Sequence, residues 1–244
     1  MASPQLHIIG DSAKLQTEVC DFVLAAAKKS TDDHGHFSVG LSGGSVAKFV
    51  SQGLRGRSDI EWAKWHIFYC DERHVPFSSE DSTHAFFKRE LFDHISVPQD
   101  NIYTIDPTLD VNGAAEDYIR KIRKLYPGET LPSFDLLLLG MGPDGHTCSL
   151  FPDHPGLNEA AKVVIPITDS PKPPPSRITL TLPVLNNAKC VAVISAGSSK
   201  ADAVKGCLEP EEGTDPLPAG RARPTKGELH WFLDEGASSK LKKK

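Results

Sequence analysis

The sequence predicts an α/β fold: one domain over residues 1–244, built on a mainly parallel sheet with helices on both faces. Three observations carry that expectation. Short strand-like runs alternate with amphipathic helical segments along the whole chain, and no run approaches the roughly 18 apolar residues of a membrane span. Residues 134–139, Phe-Asp-Leu-Leu-Leu-Leu, form a short apolar run without alternation, as in a strand buried on both faces of a parallel sheet. Glycine-rich turns at 42–45 and 140–145 directly follow two such strands, at the carboxyl end where open α/β sheets bind ligands. With 244 residues and 39% hydrophobic content, the chain can bury a sizeable core.

In order, residues 6–9 read as a first strand, and Asp11 or Ser12 caps a helix over 13–29 with Leu15, Val19, Phe22, Val23 and Ala26 on one face. A second strand at 37–41 runs into Ser42-Gly43-Gly44-Ser45 and a helix over 46–52. Free backbone N–H groups and a helix dipole at one spot suit a phosphate, although the tetrapeptide alone also makes an ordinary turn. Neither the Walker pattern nor the dinucleotide Gly-x-Gly-x-x-Gly is present. The third strand, 65–69, ends at Cys70-Asp71-Glu72-Arg73-His74, whose charges read as the polar rim of a cleft, with a local salt bridge as the alternative. Helices over 82–91 and 112–126, the latter capped by Asn112, are scaffold.

The central run 134–139 leads into Gly-Met-Gly-Pro-Asp-Gly-His-Thr-Cys-Ser-Leu-Phe-Pro at 140–152, a sharp turn presenting Asp144 and His146. Residues 162–167 form an edge or terminating strand because of Pro166, and the proline-rich 170–176 forms a rim loop. Arg177 opens a strand over 177–181, and a buried strand at 190–194 precedes a helix running to 208. Lys200 falls in the first turn of that helix, where a cation opposes the dipole and a bound anion would reverse the penalty. Residues 209–226, rich in Pro, Gly and charge, read as a surface excursion before a last strand at 228–233. The short amino terminus and the basic tail over 238–244 are expected to be flexible.

The net charge of -5 and pI of about 6.0 give no general attraction to nucleic acid or acidic membranes. The five cysteines, odd in number and widely spaced, suggest reduced thiols in a cytoplasmic protein rather than a disulfide framework or a Cys-x-x-Cys metal site. The remaining constellation is an anion site with a histidine in it. Neutral imidazole can take a proton from water, the requirement for base-assisted hydrolysis of an activated ester. With no Gly-x-Ser-x-Gly elbow and no His-Glu-x-x-His, water attack without a metal is the economical mechanism.

The segments at 142–152 and Cys70-Asp71-Glu72-Arg73 resemble the animal-type 6-phosphogluconolactonase family, and the likeness covers nearly the whole chain. The resemblance implies a Rossmann-like sheet related to that of glucosamine-6-phosphate deaminase, hydrolysis of 6-phosphogluconolactone without a cofactor, and a monomer or at most a weak dimer. By position it makes His146 the base for water, Asp144 and Asp71 orienting groups, and Arg73 the partner of the lactone or its oxyanion. Ser42, Gly43, Gly44, Arg177 and Lys200 would hold the phosphate, Arg177 by a bidentate fork. One departure is Val46-Ala47 where many relatives carry a proline at the helix start. Amino-sugar phosphate deamination with Asp71 as base is the alternative within the fold, but deaminases carry an acidic residue where Phe151 stands. A non-catalytic sugar-phosphate sensor is the alternative from another class.

Overall fold

The computed structural model describes residues 2–242. Its elements run β1 (Pro4–Ile9), α1 (Ser12–His34), β2 (Phe37–Leu41), α2 (Ser45–Leu54), β3 (Trp65–Tyr69), β4 (Asp71–Arg73), α3 (Thr83–Glu90) and α4 (Val111–Leu125). They continue with β5 (Leu136–Gly140), β6 (Val164–Ile167), β7 (Arg177–Leu180), α5 (Leu182–Asn187), β8 (Cys190–Ser195), α6 (Ala201–Leu208), α7 (Pro218–Arg221) and β9 (Glu228–Asp234). Six strands form one parallel sheet in the order β1-β9-β8-β5-β2-β3, with β5 in its interior as its unbroken leucine run requires.

Each face of that sheet carries its own core. On one side the stripe Leu15, Val19, Val23, Ala27 of α1 packs with Val46, Phe49 and Val50 of α2 and Phe87 of α3. On the other, Ala114, Ala115, Tyr118 and Ile122 of α4 pack with residues of α5, α6 and the small second sheet. The helix after β2 therefore covers one face while the chain leaving β5 goes to the other. A crevice opens between the carboxyl ends of these adjacent strands, the topological switch point of an open α/β sheet.

Local chemistry explains most of the boundaries. The Asp11 carboxylate accepts the Lys14 N–H to start α1, which runs past the expected end to stop at Gly35 with φ 86°. Asp110, not Asn112, caps α4 by accepting the Gly113 N–H, placing the cap two residues earlier than the sequence reading had it. Ser82 caps α3 as expected. The short α5 has no counterpart in the sequence expectation, and between the turn after β5 and β6 the chain forms only a 3-10 turn at Pro155–Asn158.

The largest difference is a second sheet, β4-β7-β6, antiparallel throughout. Asp71–Arg73 does not simply end the third strand but forms the edge of this sheet, with Arg73 opposite Arg177. Strand alternation then decides the three charges: Asp71 and Arg73 face the crevice, whereas Glu72 turns inward and is 0% exposed. Its carboxylate accepts the backbone N–H groups of Arg73, Thr83 and His84, so it ties β4 to the start of α3. Burial pushes its pKa up to about 7 against those donors. Glu72 is thus scaffold, a correction to its reading as a cleft rim.

Two further expectations fail. Within 209–226, Pro218, Ala219 and Gly220 are buried rather than a surface excursion. The carboxyl terminus is no free tail through 242: Ser238 and Leu241 are buried, and Lys240 pairs with Asp202 at 2.6 Å. Lys243 and Lys244 lie outside the described residues. The amino terminus is likewise tied down, the Ala2 N–H donating to Pro224 at 2.9 Å.

Candidate active site

The crevice holds a cavity of about 230 Å³ whose lining includes Ser42, Gly43, Gly44, Asp71, Arg73, His146, Arg177 and Lys200. The structure therefore brings together eight of the nine residues singled out in the sequence, and the ninth, Asp144, is bonded to His146 through its side chain.

The turn after β5 is built to present a histidine. The Gly142 N–H donates to the His146 carbonyl at 2.9 Å and the Gly145 N–H to the Gly142 carbonyl at 3.0 Å, closing a tight loop with Gly145 at φ 80°. A methyl group at Gly142 would overlap His146 Nδ1 and Asp144 Oδ1, so this position must lack a side chain. In the space so kept, His146 Nδ1–H donates to Asp144 Oδ1 at 2.6 Å. That bond fixes the tautomer and leaves Nε2 with its lone pair.

The electrostatics favour the neutral base. Burial lowers the His146 pKa below its ordinary 6.5, and the Lys172 ammonium adds to the effect, although Asp144 pulls upward. Phe151 supplies much of the apolar wall, its ring centroid 4.8 Å from that of His146. Burial would raise the Asp144 pKa, but hydrogen bonds from His146 and Lys172 outweigh it and hold the group at about 2. The dyad is therefore a carboxylate beside a neutral imidazole near pH 7.

Lys172 is a residue beside the dyad that sequence reasoning did not single out. Its ammonium donates to Asp144 Oδ1 at 3.0 Å and stands 3.1 Å from His146 Nδ1. The proline loop is thus a wall of the site, and Arg177 holds it there. The Arg177 guanidinium donates from Nε to the Pro174 carbonyl and from Nη2 to those of Lys172 and Pro173. The side chain is 4% exposed and two of its three nitrogens are committed, so the expected bidentate fork toward a ligand is not available as drawn. Arg177→Ala is expected to raise KM for a phosphorylated substrate about tenfold, the scale of losing charge-assisted hydrogen bonds, and to loosen loop 170–176. Initial-rate kinetics and limited proteolysis of that loop check both effects.

Opposite the histidine lies a group of donors whose geometry suits an anion. Gly44 at φ 66° ends the turn, and α2 begins at Ser45 with no side-chain cap, leaving its first N–H groups without intrahelical acceptors. Gly43 is crowded, a Cβ there standing 3.0 Å from Thr83 Oγ1. The buried Ser42 hydroxyl has no hydrogen-bond partner among the described residues. Lys200 donates to the Met141 carbonyl at 2.9 Å and retains two further protons, its pKa lowered by burial and by Lys172. Val46 and Ala47 are buried, so the helix start forms without a proline.

The other wall comes from β4. Asp71 Oδ2 accepts the Ser149 hydroxyl at 2.7 Å, and Arg73 Nη1 donates to the Asp81 carbonyl at 2.7 Å. Beneath the turn after β5, Leu217 packs on Gly145, and the Ala219 N–H donates to the Gly145 carbonyl at 3.0 Å. The segment preceding α7 and its first turn thus buttress His146, a long-range role with no local signal in the sequence.

Residues 10–231 match the family described as glucosamine-6-phosphate isomerases/6-phosphogluconolactonase. The chain belongs to this family. It is 47% identical to the 6-phosphogluconolactonase of Rattus norvegicus over 99% of this chain and 96% of that protein. A solved 6-phosphogluconolactonase from Trypanosoma cruzi superposes with a TM-score of 0.88 at 25% identity, covering 99% of this chain and 98% of its own. A monomeric glucosamine-6-phosphate deaminase superposes with a TM-score of 0.76 over 96% of this chain; at 17% identity it shows a shared fold. No helix among the described residues is long and apolar enough to cross a membrane.

Proposed function

We propose that the protein hydrolyses 6-phospho-D-glucono-1,5-lactone to 6-phospho-D-gluconate, the lactone step of the oxidative pentose phosphate pathway. The observation that carries this reading is the His146–Asp144 dyad facing, across one cavity, the uncapped start of α2 with Lys200 beside it.

The phosphate lies on the Gly43-Gly44 turn and the first N–H groups of α2, with the Ser42 hydroxyl and the Lys200 ammonium completing its contacts. The lactone carbonyl then reaches the His146 side. Nε2 takes a proton from water as the oxygen attacks the carbonyl carbon, and the resulting imidazolium is stabilised by Asp144. Arg73 neutralises the oxyanion, a preorganised charge where negative charge develops. Collapse of the tetrahedral intermediate breaks the bond to the ring oxygen, which receives the proton from His146. Asp71 orients the polar edge of the sugar while bound by Ser149.

Phe151 weighs against the deaminase alternative. It is 1% exposed and packed on His146, and an apolar ring cannot protonate a ring oxygen or a leaving amine. A cytoplasmic protein of one catalytic domain, monomeric or weakly dimeric, goes with this reading; all five cysteines are free and buried.

Removing the Lys172 charge makes the imidazolium easier to form, since that cation lies 3.1 Å from Nδ1. In Lys172→Met the acid limb of kcat/KM is therefore expected to move to higher pH, as read from initial rates across pH.

The reading is tested with freshly generated 6-phosphogluconolactone in chelator-containing buffer. Acceleration over spontaneous hydrolysis, much weaker action on glucono-1,5-lactone lacking the phosphate, and no turnover of glucosamine 6-phosphate are expected. Binding of 6-phosphogluconate without acceleration would leave a sensor in its place.

A further inference from the structure

At the amino ends of β8 and β9, the end of the sheet opposite the catalytic crevice, three donor side chains converge. Cys190 and Glu228 are register partners on the two parallel strands, and His230 lies two residues beyond Glu228 on the same face. A thiol sulfur, a carboxylate oxygen and an imidazole nitrogen from these residues lie within 4.8 Å of one another. His230 Nε2 is 3.3 Å from Glu228 Oε2, and its Nδ1 pairs at 3.0 Å with Nε2 of His7 on β1. His7 is itself stacked on Phe232, with ring centroids 4.4 Å apart. The His230 ring is thus oriented from behind by a second imidazole.

We propose that Cys190, Glu228 and His230 form a binding site for a thiophilic divalent cation of the zinc class. Sulfur, nitrogen and oxygen donors together are the ligand set such ions take. Tetrahedral ligands at about 2.0 to 2.3 Å from zinc stand roughly 3.5 Å apart. The trio must therefore close by about an ångström, a movement open to the Glu228 side chain, which is 54% exposed. A cavity of about 230 Å³, lined in part by Cys190, Glu228 and Lys29, gives the ion a route in and room for a water in the fourth position.

The charges balance. Thiolate and carboxylate neutralise the dication once the half-exposed Glu228 turns from the Lys29 ammonium, 3.7 Å from its Oε1, and the imidazole binds neutral through Nε2 while its Nδ1–H donates to His7. In the metal-free protein Cys190 is a free, buried thiol. Coordination forms the sulfur–metal bond and expels the thiol proton to solvent, one proton for each ion bound. The neighbouring trio His34, His36 and Asp135 has similar spacing. There the Lys189 ammonium is held 2.8 Å from Oδ1 of the buried Asp135 and 3.0 Å from His34 Nε2 and supplies the positive charge, whereas the Lys29–Glu228 pair is exposed and longer, at 3.7 Å.

The test is titration of the full chain, stripped with chelator, with Co²⁺, whose near-ultraviolet charge-transfer band reports a thiolate ligand. Saturation at one Co²⁺ per chain, release of one proton and displacement by Zn²⁺ are expected. The band should vanish in Cys190→Ser, and Glu228→Gln should weaken Co²⁺ at least tenfold, the scale of losing a metal-site partner. His146→Ala should retain the band, separating this site from the catalytic cleft. Absence of the band, or its persistence in Cys190→Ser, overturns the proposal. Should Cys190→Ser fail to fold, Glu228→Gln decides, because its side chain is half exposed: unchanged Co²⁺ affinity there is equally fatal.

Discussion

His146→Ala is expected to lower kcat for 6-phosphogluconolactone hydrolysis about 10³-fold, within the range that a positioned general base supplies, while KM changes little. The split follows from the geometry. The substitution removes Nε2 and the dyad with Asp144 but leaves the start of α2, Ser42 and Lys200 intact on the other side of the cavity. Stopped assays corrected for spontaneous lactone opening give both constants. A variant with unchanged turnover would remove the histidine from the mechanism, whereas a large rise in KM alone would make it a binding residue.

Gly142→Ala is expected to lower kcat about 10²-fold, because a small misplacement of a catalytic group suffices for that loss. The added methyl occupies the space where His146 Nδ1 and Asp144 Oδ1 meet, so dyad and methyl cannot both keep their places. Overpacking of this kind also costs roughly 1–3 kcal/mol of stability, to be read from the urea midpoint. The turn has little room to yield, since Leu217 and the Ala219 N–H press on Gly145 from below. Wild-type kcat in this variant would show that the dyad is not positioned by the bare glycine.

These two residues were legible in the sequence for a physical reason. A buried strand feeding a glycine-rich turn is a local pattern, and so are the residues such a turn exposes. The same holds for the Ser42-Gly43-Gly44 turn ahead of α2. Lys172 carried no comparable signal: it reaches Asp144 across 28 positions, and the proline content of its loop said only that the chain there is neither helix nor central strand. The antiparallel sheet was illegible for the same reason. Its pairing of Asp71–Arg73 with Arg177 and its neighbours spans more than a hundred residues and depends on where the main sheet has already placed β3. Period-two alternation would have separated Glu72 from Asp71 and Arg73, but only once that segment was known to be a strand.

Arg177 shows how a residue legible as part of the cleft can have contacts that the sequence does not disclose. It lies in the cleft, yet its committed donors tie down the loop that brings Lys172 to the dyad. Its expected influence on a phosphorylated substrate is therefore partly indirect, through the proline loop.

The central claim is that neutral His146 activates the attacking water. The measurement that bears on it most directly is the pH dependence of kcat/KM for 6-phosphogluconolactone, with the spontaneous rate subtracted at every pH. Burial lowers the histidine pKa, so activity should hold through neutrality and fall along a single acid limb below pH 6.5 as the imidazole protonates. A profile without an acid limb, or one whose limb survives unchanged in the residual activity of His146→Ala, would contradict it.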